Sequence, residues 1–205
     1  MKKSSLLILM VCAALSSSAM LLAEPDKGRI FLKEVPAELA DRVKEKLEEC
    51  AREHAISETA AASVRTVVTN FSFKKLDTMR PLREKIQEAG PSAIPVVSEF
   101  LISTDESARQ KAVFALRYLI RNPENAPREY TPTDSLLAAL LSRAVLDKNP
   151  KVRMSAITGL NKVACSSSED AVPDVLAGIE LAVEDPDPKV GSLARAYVKS
   201  LTSAE

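Results

Sequence analysis

The chain has 205 residues, of which 46% are hydrophobic and 27% are charged, and its 28 basic residues balance its 28 acidic residues. A net charge of zero gives no indication of binding to nucleic acid or to another acidic polymer. Because only 4% of the residues are aromatic and only five are glycine, a β-sheet protein with many tight turns is disfavoured and an all-helical protein is expected.

Residues 1–23 have the pattern of a secretory signal peptide. Two lysines, Lys2 and Lys3, precede an uncharged apolar run, and small residues suited to cleavage follow it. Cleavage after Ala23 is preferred to cleavage after Ala19, because the polar chain begins there. We therefore expect an exported protein, periplasmic or secreted, with no membrane span once the signal is removed.

Two alternatives to cleavage remain open. Cys12 lies in a stretch similar to a lipoprotein box, although Val11 stands where such boxes have a small residue. The uncharged run 6–23 approaches the ~20 residues that a spanning helix needs. Either a lipidated Cys12 or an uncleaved anchor would hold the protein at a membrane.

The next part of the chain, residues 24–78, predicts a short lead-in and two helices. Residues 24–35 are expected to be extended or disordered. Helical spacing of apolar residues after Pro36 predicts an amphipathic helix. Residues 57–73 fit either a helix or a β-branched strand, and we favour the helix because a strand would have no partner. Residues 36–78 are then a divergent N-terminal helical pair that caps the rest of the chain.

From residue 79 onward the sequence repeats itself three times. Each copy has an apolar helix, a turn at Asp105, Asn149 or Asp187, and a second helix rich in small residues. Four columns of the second helix agree, in the triplets Ala108, Val152, Val190; Ala112, Ala156, Ala194; Leu116, Leu160, Val198; and Leu119, Val163, Leu201. Tandem units of about 40 residues predict a helical solenoid, because one helix pair cannot bury its own apolar faces.

The stretches GPSAIPVVSEFLISTDESARQKAVFALRYL and LLAALLSRAVLDKNPKVRMSAITGLNKV resemble HEAT repeats. The resemblance covers residues 79–203. It implies an all-α fold, a right-handed α-α superhelix or short HEAT-like solenoid of about three to four helical hairpins over residues 79–205. It also implies that the second helices line a concave face.

The same resemblance suggests a ladder of ion pairs between repeats. Asp147 and Arg153 match the Asp and Arg that link neighbouring HEAT repeats. The other copies keep one half each, because Ser103 takes the acidic position before Arg109 and Gly191 takes the basic position after Asp185. The expected structural links are Arg109 to Asp147 and Arg153 to Asp185.

Basic residues off the core columns of the second helices suggest a strip that faces a partner. The candidate strip comprises Arg109, Arg117, Arg121, Lys162, Arg195 and Lys199. Residues 121–135 predict a long proline-rich loop, a kind of segment that often binds, with Tyr130 as its candidate contact residue. The alternatives are solubilising charge for the strip and an ordered spacer, with Tyr130 covering a seam, for the loop.

The sequence contains no recognisable chemistry. Its single histidine, His54, excludes a two-histidine metal site and most Ser-His designs. The five glycines form no phosphate loop. Whether Cys50 and Cys165 pair is left open. We therefore expect no catalytic, cofactor or metal site and no enzyme activity.

The function predicted from these features is that of an exported, non-catalytic interaction scaffold. Its concave helical face would hold a protein or peptide of the cell envelope, and no nucleic acid is expected. A binder of a small molecule or lipid is the alternative, and a hydrolase with an unrecognised site is a further one. The oligomeric state is left open.

Overall fold

The computed structural model describes residues 30–120 and 129–203, and within these ranges the chain is helical with one isolated β-bridge. The predictions for the signal peptide and for Cys12 lie outside the described residues, and so do residues 24–29 of the segment 24–35 that was expected to be extended or disordered. The helices are α1 (Ala37–Glu53), α2 (Glu58–Asn70), α3 (Met79–Ala89), α4 (Ala93–Ser98, continued as a 3₁₀ turn Glu99–Ile102), α5 (Glu106–Leu116), α6 (Pro132–Ala144), α7 (Pro150–Ser166), α8 (Val172–Glu180) and α9 (Pro188–Thr202).

The three second helices begin in the same way. The side chains of Asp105, Asn149 and Asp187 each accept a hydrogen bond from the backbone N–H two residues later, and α7 and α9 have a proline in the first turn. These side chains satisfy N–H groups that a helix start leaves without partners. The repeated turn of the sequence is therefore a repeated helix cap.

The pairs α4–α5, α6–α7 and α8–α9 form a short helical solenoid of HEAT-like hairpins, as predicted. The second helices pack in chain order, α5 against α7 and α7 against α9. Val152, Ala156, Val190 and Ala194 from the repeat columns are buried in one continuous core, whereas Ala108 is only partly buried. The small residues in these columns allow neighbouring helices to approach closely.

The ambiguous segment 57–73 contains helix α2, so the preferred prediction is confirmed. Ser57 caps the helix by accepting from the N–H of Ala60. Val64, Val68 and Phe71 are buried on the side that packs against α3, α4 and α5. The β-branched residues are tolerated because burial against three helices outweighs their weak preference for strands.

The N-terminal helix α1 is integrated into the stack. It lies between α4 and α6, contacting both, and the preceding residues 30–32 pair in antiparallel fashion with residues 146–148 at the end of α6. Near the other end of α1, Cys50 lies beside Leu136 at the start of α6. Helix α1 therefore runs antiparallel to α6.

The two junctions between copies differ in their first helices. Helices α6 and α8 pack directly, so closely that a Cβ atom built on Gly178 of α8 would overlap the Oγ of Ser142 on α6. Helix α1 instead separates α4 from α6. The two junctions between copies therefore differ in the first-helix layer, where one has direct helix contact and the other an inserted helix.

Candidate interaction surface

Two buried ion pairs join the three copies. The guanidinium of Arg109 donates to both carboxylate oxygens of Asp147, at 2.6 and 3.1 Å. The guanidinium of Arg153 donates to both carboxylate oxygens of Asp185, at 2.7 Å each. All four side chains are at most 4% exposed, and bidentate pairing of this kind fixes relative orientation. The structure thus brings together both pairs of residues suggested by the repeat alignment.

Each arginine also holds the turn of its own copy. Arg109 donates to the carbonyls of Ser103 and Thr104, and Arg153 donates to those of Asp147 and Lys148. These bonds occupy carbonyl groups that would otherwise be buried without donors. In this surrounding Arg109 cannot belong to the exposed strip in which it was also placed, because only 3% of its surface is exposed.

The last copy has a substitute for the missing ladder arginine. Gly191 stands at the arginine position, and the Nη1 of Arg195, one helical turn later, donates to the carbonyl of Val183 at 2.7 Å. A Cβ atom on Gly191 would lie 3.2 Å from that Nη1 atom. Arg195 therefore acts on a turn carbonyl at the end of the stack. The repeat alignment could not indicate this, because the substitute lies off the conserved column.

The second helices carry charge of one sign. Within Glu106–Leu116, Pro150–Ser166 and Pro188–Thr202 there are eight basic residues and one acidic residue, Glu106. The ladder arginines Arg109 and Arg153 have their own carboxylates, and the other cations are not paired to a carboxylate within these three helices. The layer formed by α5, α7 and α9, here called the second-helix layer, is consequently basic although the whole chain is neutral.

Arg117, directly after α5, lies at the centre of this layer. Its stem crosses α7 at Gly159, where a Cβ atom would lie 3.2 Å from the Cγ of Arg117, and its Nη1 lies 3.4 Å from the Oγ of Ser155. The Nε atom is buried without a hydrogen-bond partner, and no carboxylate pairs with Arg117 among residues 30–120 and 129–203. Burial lowers the pKa of Arg117, and the hydroxyls of Tyr197 and Tyr118 partly offset that shift.

Four aromatic rings form a cluster around Phe114, the ring that lies next to Arg117. Phe114 stacks on Phe71 at 5.2 Å between centroids, and Phe73 and Tyr118 meet Phe114 edge-on at 5.3 Å. The guanidinium carbon of Arg117 lies 5.8 Å from the centroid of the Phe114 ring, within cation–π range. Phe73 is 44% exposed. We call Phe73, Phe114 and Tyr118 the aromatic ledge.

The remaining members of the predicted strip differ from one another in their surroundings. Lys162 donates to the carbonyls of Arg117 and Ile120. Burial is the main cause that lowers the pKa of Lys162, and the nearby charge of Arg117 lowers it further. Lys199 is exposed at the end of the stack. Arg121 lies outside the described residues. The strip is therefore not a continuous row of free cations, and Arg117 is its most distinctive member.

Tyr130 is turned toward the protein. Its hydroxyl donates to Asp174 at 2.9 Å, a carboxylate that also accepts from Ser135 and from Arg42 of α1. Burial raises the pKa of Tyr130. This geometry favours the interpretation that Tyr130 covers a seam between α6 and α8, whereas residues 121–128 of the predicted loop lie outside the described residues.

The cysteines and acidic residues of the described chain show no reactive arrangement. Cys50 and Cys165 are both free thiols, the first buried and the second exposed. The Sγ of Cys50 donates to the carbonyl of Pro91, and burial, with Glu53 and Glu49, raises the pKa of Cys50 to about 11. Within the described ranges, no group of three or more His, Cys, Asp or Glu side chains is placed to hold a metal ion.

Two depressions of the described surface bear on ligand binding, and the larger of this pair is an open cleft of about 510 Å³. Its lining is mixed, and includes Arg83, Gln87, Tyr118 and Lys162. The other depression, beside Cys50 and His54, is almost filled, with about 10 Å³ of space. Small apolar ligands prefer enclosed apolar cavities, so these depressions do not favour the small-molecule alternative. In the part of the chain that the structure describes, no helix has the length and apolarity needed to cross a membrane.

Comparison with known proteins gives one match. The family model described as the sister chromatid cohesion protein PDS5 matches residues 35–202, which is most of the chain. No curated protein and no solved structure matches. The match begins just before α1 and ends within α9, so it includes the N-terminal helices as well as the three copies.

Proposed function

We propose that this chain, which belongs to the PDS5 family of HEAT-repeat-like helical proteins, is a non-catalytic scaffold that binds a protein or peptide partner on its second-helix layer. The family match supports a scaffold role. The observation that carries the choice of surface is the basic second-helix layer, with Arg117 and the aromatic ledge next to each other at α5.

The chemistry of this surface supports binding to a macromolecule. Protein interfaces are enriched in aromatic and arginine residues, and those residues contribute most of the binding energy. Phe114 near the end of α5 contacts Phe73 from the turn after α2, and it also contacts Tyr118 and Arg117. A scaffold of packed helices holds these side chains in place before the partner arrives, which lowers the entropic cost of association.

Site-specific photo-crosslinking in cells tests the surface. A photoreactive phenylalanine analogue at Tyr118 should give defined adducts of higher mass. The same analogue at Lys44, an exposed residue of α1, is the matched control and should give none. Equal crosslinking at both positions, or none at Tyr118, would contradict the proposed surface.

The proposed location is the cell envelope, reached by export. Support comes from the basic start, apolar run and small-residue end of residues 1–23. Cell fractionation combined with mass measurement of the purified chain should find a protein that begins at Glu24. A lipid adduct on Cys12 or an intact N-terminus in the membrane fraction would replace cleavage by one of its alternatives, and a cytosolic full-length chain would refute export.

A further inference from the structure

Arg117 differs from the ladder arginines in the groups that surround its charge. Arg109 and Arg153 are buried more deeply, yet each has a bidentate carboxylate and two carbonyl acceptors. Arg117 is half-buried with one long contact to Ser155 and an orphaned Nε atom. Partly desolvated charges without a counter-charge are costly, and a carboxylate from another molecule would supply the partner that residues 30–120 and 129–203 do not provide.

The aromatic ledge adjoins this cation on one side. Phe73 extends into solvent from the turn after α2, and Phe114 connects it to Arg117 through ring and cation–π contacts. On the other side, two small residues of α7 face Arg117, because Gly159 lies against its stem and Ser155 against its Nη1 atom. An apolar group and a carboxylate from one ligand can therefore reach the ledge and Arg117 together.

We propose that the second-helix layer takes an acidic peptide segment in which a carboxylate pairs with Arg117 and a neighbouring aromatic or large apolar side chain lies on the aromatic ledge. This proposal rests on the proposed scaffold function and names the chemistry of its partner. A guanidinium binds a carboxylate through two parallel hydrogen bonds, and an exposed phenylalanine ring offers apolar area to an adjacent side chain.

The arrangement of the other cations favours a peptide over a nucleic acid. Phosphate backbones are held by several free cations placed along their path. Lys162 and Arg195 are instead bonded to main-chain carbonyls, and Lys111 donates to the carbonyl of Thr69. The other exposed cations of the layer lie in the end turns of α7 and α9, at Lys151, Lys189 and Lys199. One accessible, incompletely satisfied guanidinium beside an aromatic surface fits one carboxylate better than a row of phosphates.

Fluorescence anisotropy with short labelled peptides tests the proposal on the intact purified chain. The probe carries a central Glu-Phe-Glu sequence, and matched probes carry Gln-Phe-Gln or Glu-Ala-Glu. Because a charge-assisted bidentate pair and a buried ring each contribute to affinity, each matched probe should bind about tenfold more weakly. Raising the salt concentration should weaken the Glu-Phe-Glu probe and leave the Gln-Phe-Gln probe nearly unaffected.

Variants of the chain identify the residues. Arg117→Gln should lower the affinity for the Glu-Phe-Glu probe about tenfold. Phe73→Ala should lower the same affinity severalfold, because it removes apolar area from the aromatic ledge, and Phe73 is exposed enough that its loss should not disturb the core. Arg80→Gln makes the same chemical change on the exposed side of α3 and should leave binding unchanged. Ser155→Asp places a carboxylate beside Arg117, so it should raise the melting temperature while abolishing binding.

The outcomes separate the two proposals. Failure of the Glu-Phe-Glu probe to bind, or equal binding of the Gln-Phe-Gln probe, would overturn the acidic-peptide proposal. Displacement of the probe by a single-stranded oligonucleotide at lower concentration than by unlabelled peptide would assign the layer to nucleic acid instead. If crosslinks at Tyr118 persist in the Arg117→Gln chain, the scaffold function stands and only the partner chemistry is wrong.

Discussion

The two junctions between successive copies use the same ladder and different packing. In the second-helix layer, Arg109–Asp147 and Arg153–Asp185 are equivalent bidentate pairs. In the first-helix layer, α6 meets α8 directly, while α1 separates α4 from α6. The ladder therefore sets the spacing of one layer only, and the other layer accepts either direct contact or an inserted helix.

This difference shows which contacts a repeat alignment can transfer. Positions that recur in the repeat alignment make equivalent contacts at each junction. The ladder pairs and the buried small residues of the second helices are contacts of this kind. Helix α1 does not correspond to any helix of the three repeats, so its position depends on the surface formed by α4 and α6 together. The two junctions can be compared experimentally by weakening each in turn.

The largest effect is expected from breaking the ladder at the direct junction. Arg153→Ala leaves the buried Asp185 carboxylate without its counter-charge, with the N–H of Asp187 as a remaining donor, and removes the donor from two turn carbonyls, so the free energy of unfolding should fall by about 3–5 kcal/mol. Chemical denaturation measures this change. Arg109→Ala should cost a similar amount if the two second-helix junctions are equivalent, while Arg80→Ala, at an exposed pair, should change stability by less than about 0.5 kcal/mol. Unchanged stability of Arg153→Ala would refute the structural role of the ladder.

A smaller effect is expected from crowding the direct contact between first helices. Gly178→Ala brings a Cβ atom against the Oγ of Ser142 and the Cδ1 of Leu160, so the free energy of unfolding should fall by about 1–2 kcal/mol despite the better helix propensity of alanine. Ser142→Ala in the same chain should restore part of the loss. Ala177→Ser, an exposed neighbour, is the control. Strictly additive effects of the two substitutions would show that the close approach is not a real constraint.

The junction at which α1 is inserted can be tested without a destabilising substitution, because Cys50 of α1 is a buried thiol whose reactivity can be measured. An alkylating reagent at about pH 8 should label Cys165 and spare Cys50, since only thiolates react and the pKa of Cys50 is raised to about 11 from 9.0. Peptide mass mapping measures both sites. Rapid labelling of Cys50 under native conditions would indicate that α1 opens from the stack, and absence of both thiols would indicate a disulfide.

The raised pKa of Cys50 also predicts a pH dependence with a definite sign. A folded pKa above the unfolded value favours folding below about pH 9, and this contribution is lost as the pH rises through about 11. The stability of the natural chain should therefore decline more steeply over this interval than that of Cys50→Ala. Parallel declines would mean that Cys50 does not titrate differently in the folded protein.

Much of the fold was predictable because its signals are local or periodic. Caps at Asp105, Asn149 and Asp187 act within two residues, and the apolar columns recur with helical spacing. The ladder was predictable because each of its arginines and aspartates keeps a constant position relative to the repeated apolar columns. Arg117 was named only as one member of a strip, since its orphaned Nε depends on Gly159 and Ser155 of another helix.

The residues of the strip show the limit of helical spacing as a guide to a binding surface. Spacing along a helix places a charged residue off the core columns, but it does not distinguish a free cation from one bonded to a carbonyl of the next turn. Lys162 and Arg195 belong to the second kind. Likewise, the aromatic ledge joins Phe73 to Phe114 and Tyr118 from a different helix, and only the packing of α2 against α5 brings these rings together.

By itself the sequence determined the helices, their caps and the repeat, because these depend on neighbours at fixed distances along the chain. The partners in the ladder came from the resemblance to HEAT repeats. The tertiary structure decided the position of α1 between α4 and α6, the inward orientation of Tyr130, and the exposure of Arg117 beside aromatic rings. Those features depend on which surfaces of distant segments fit together. The free energy of packing is the sum of many contacts between distant segments, so it cannot be inferred from any single stretch of sequence.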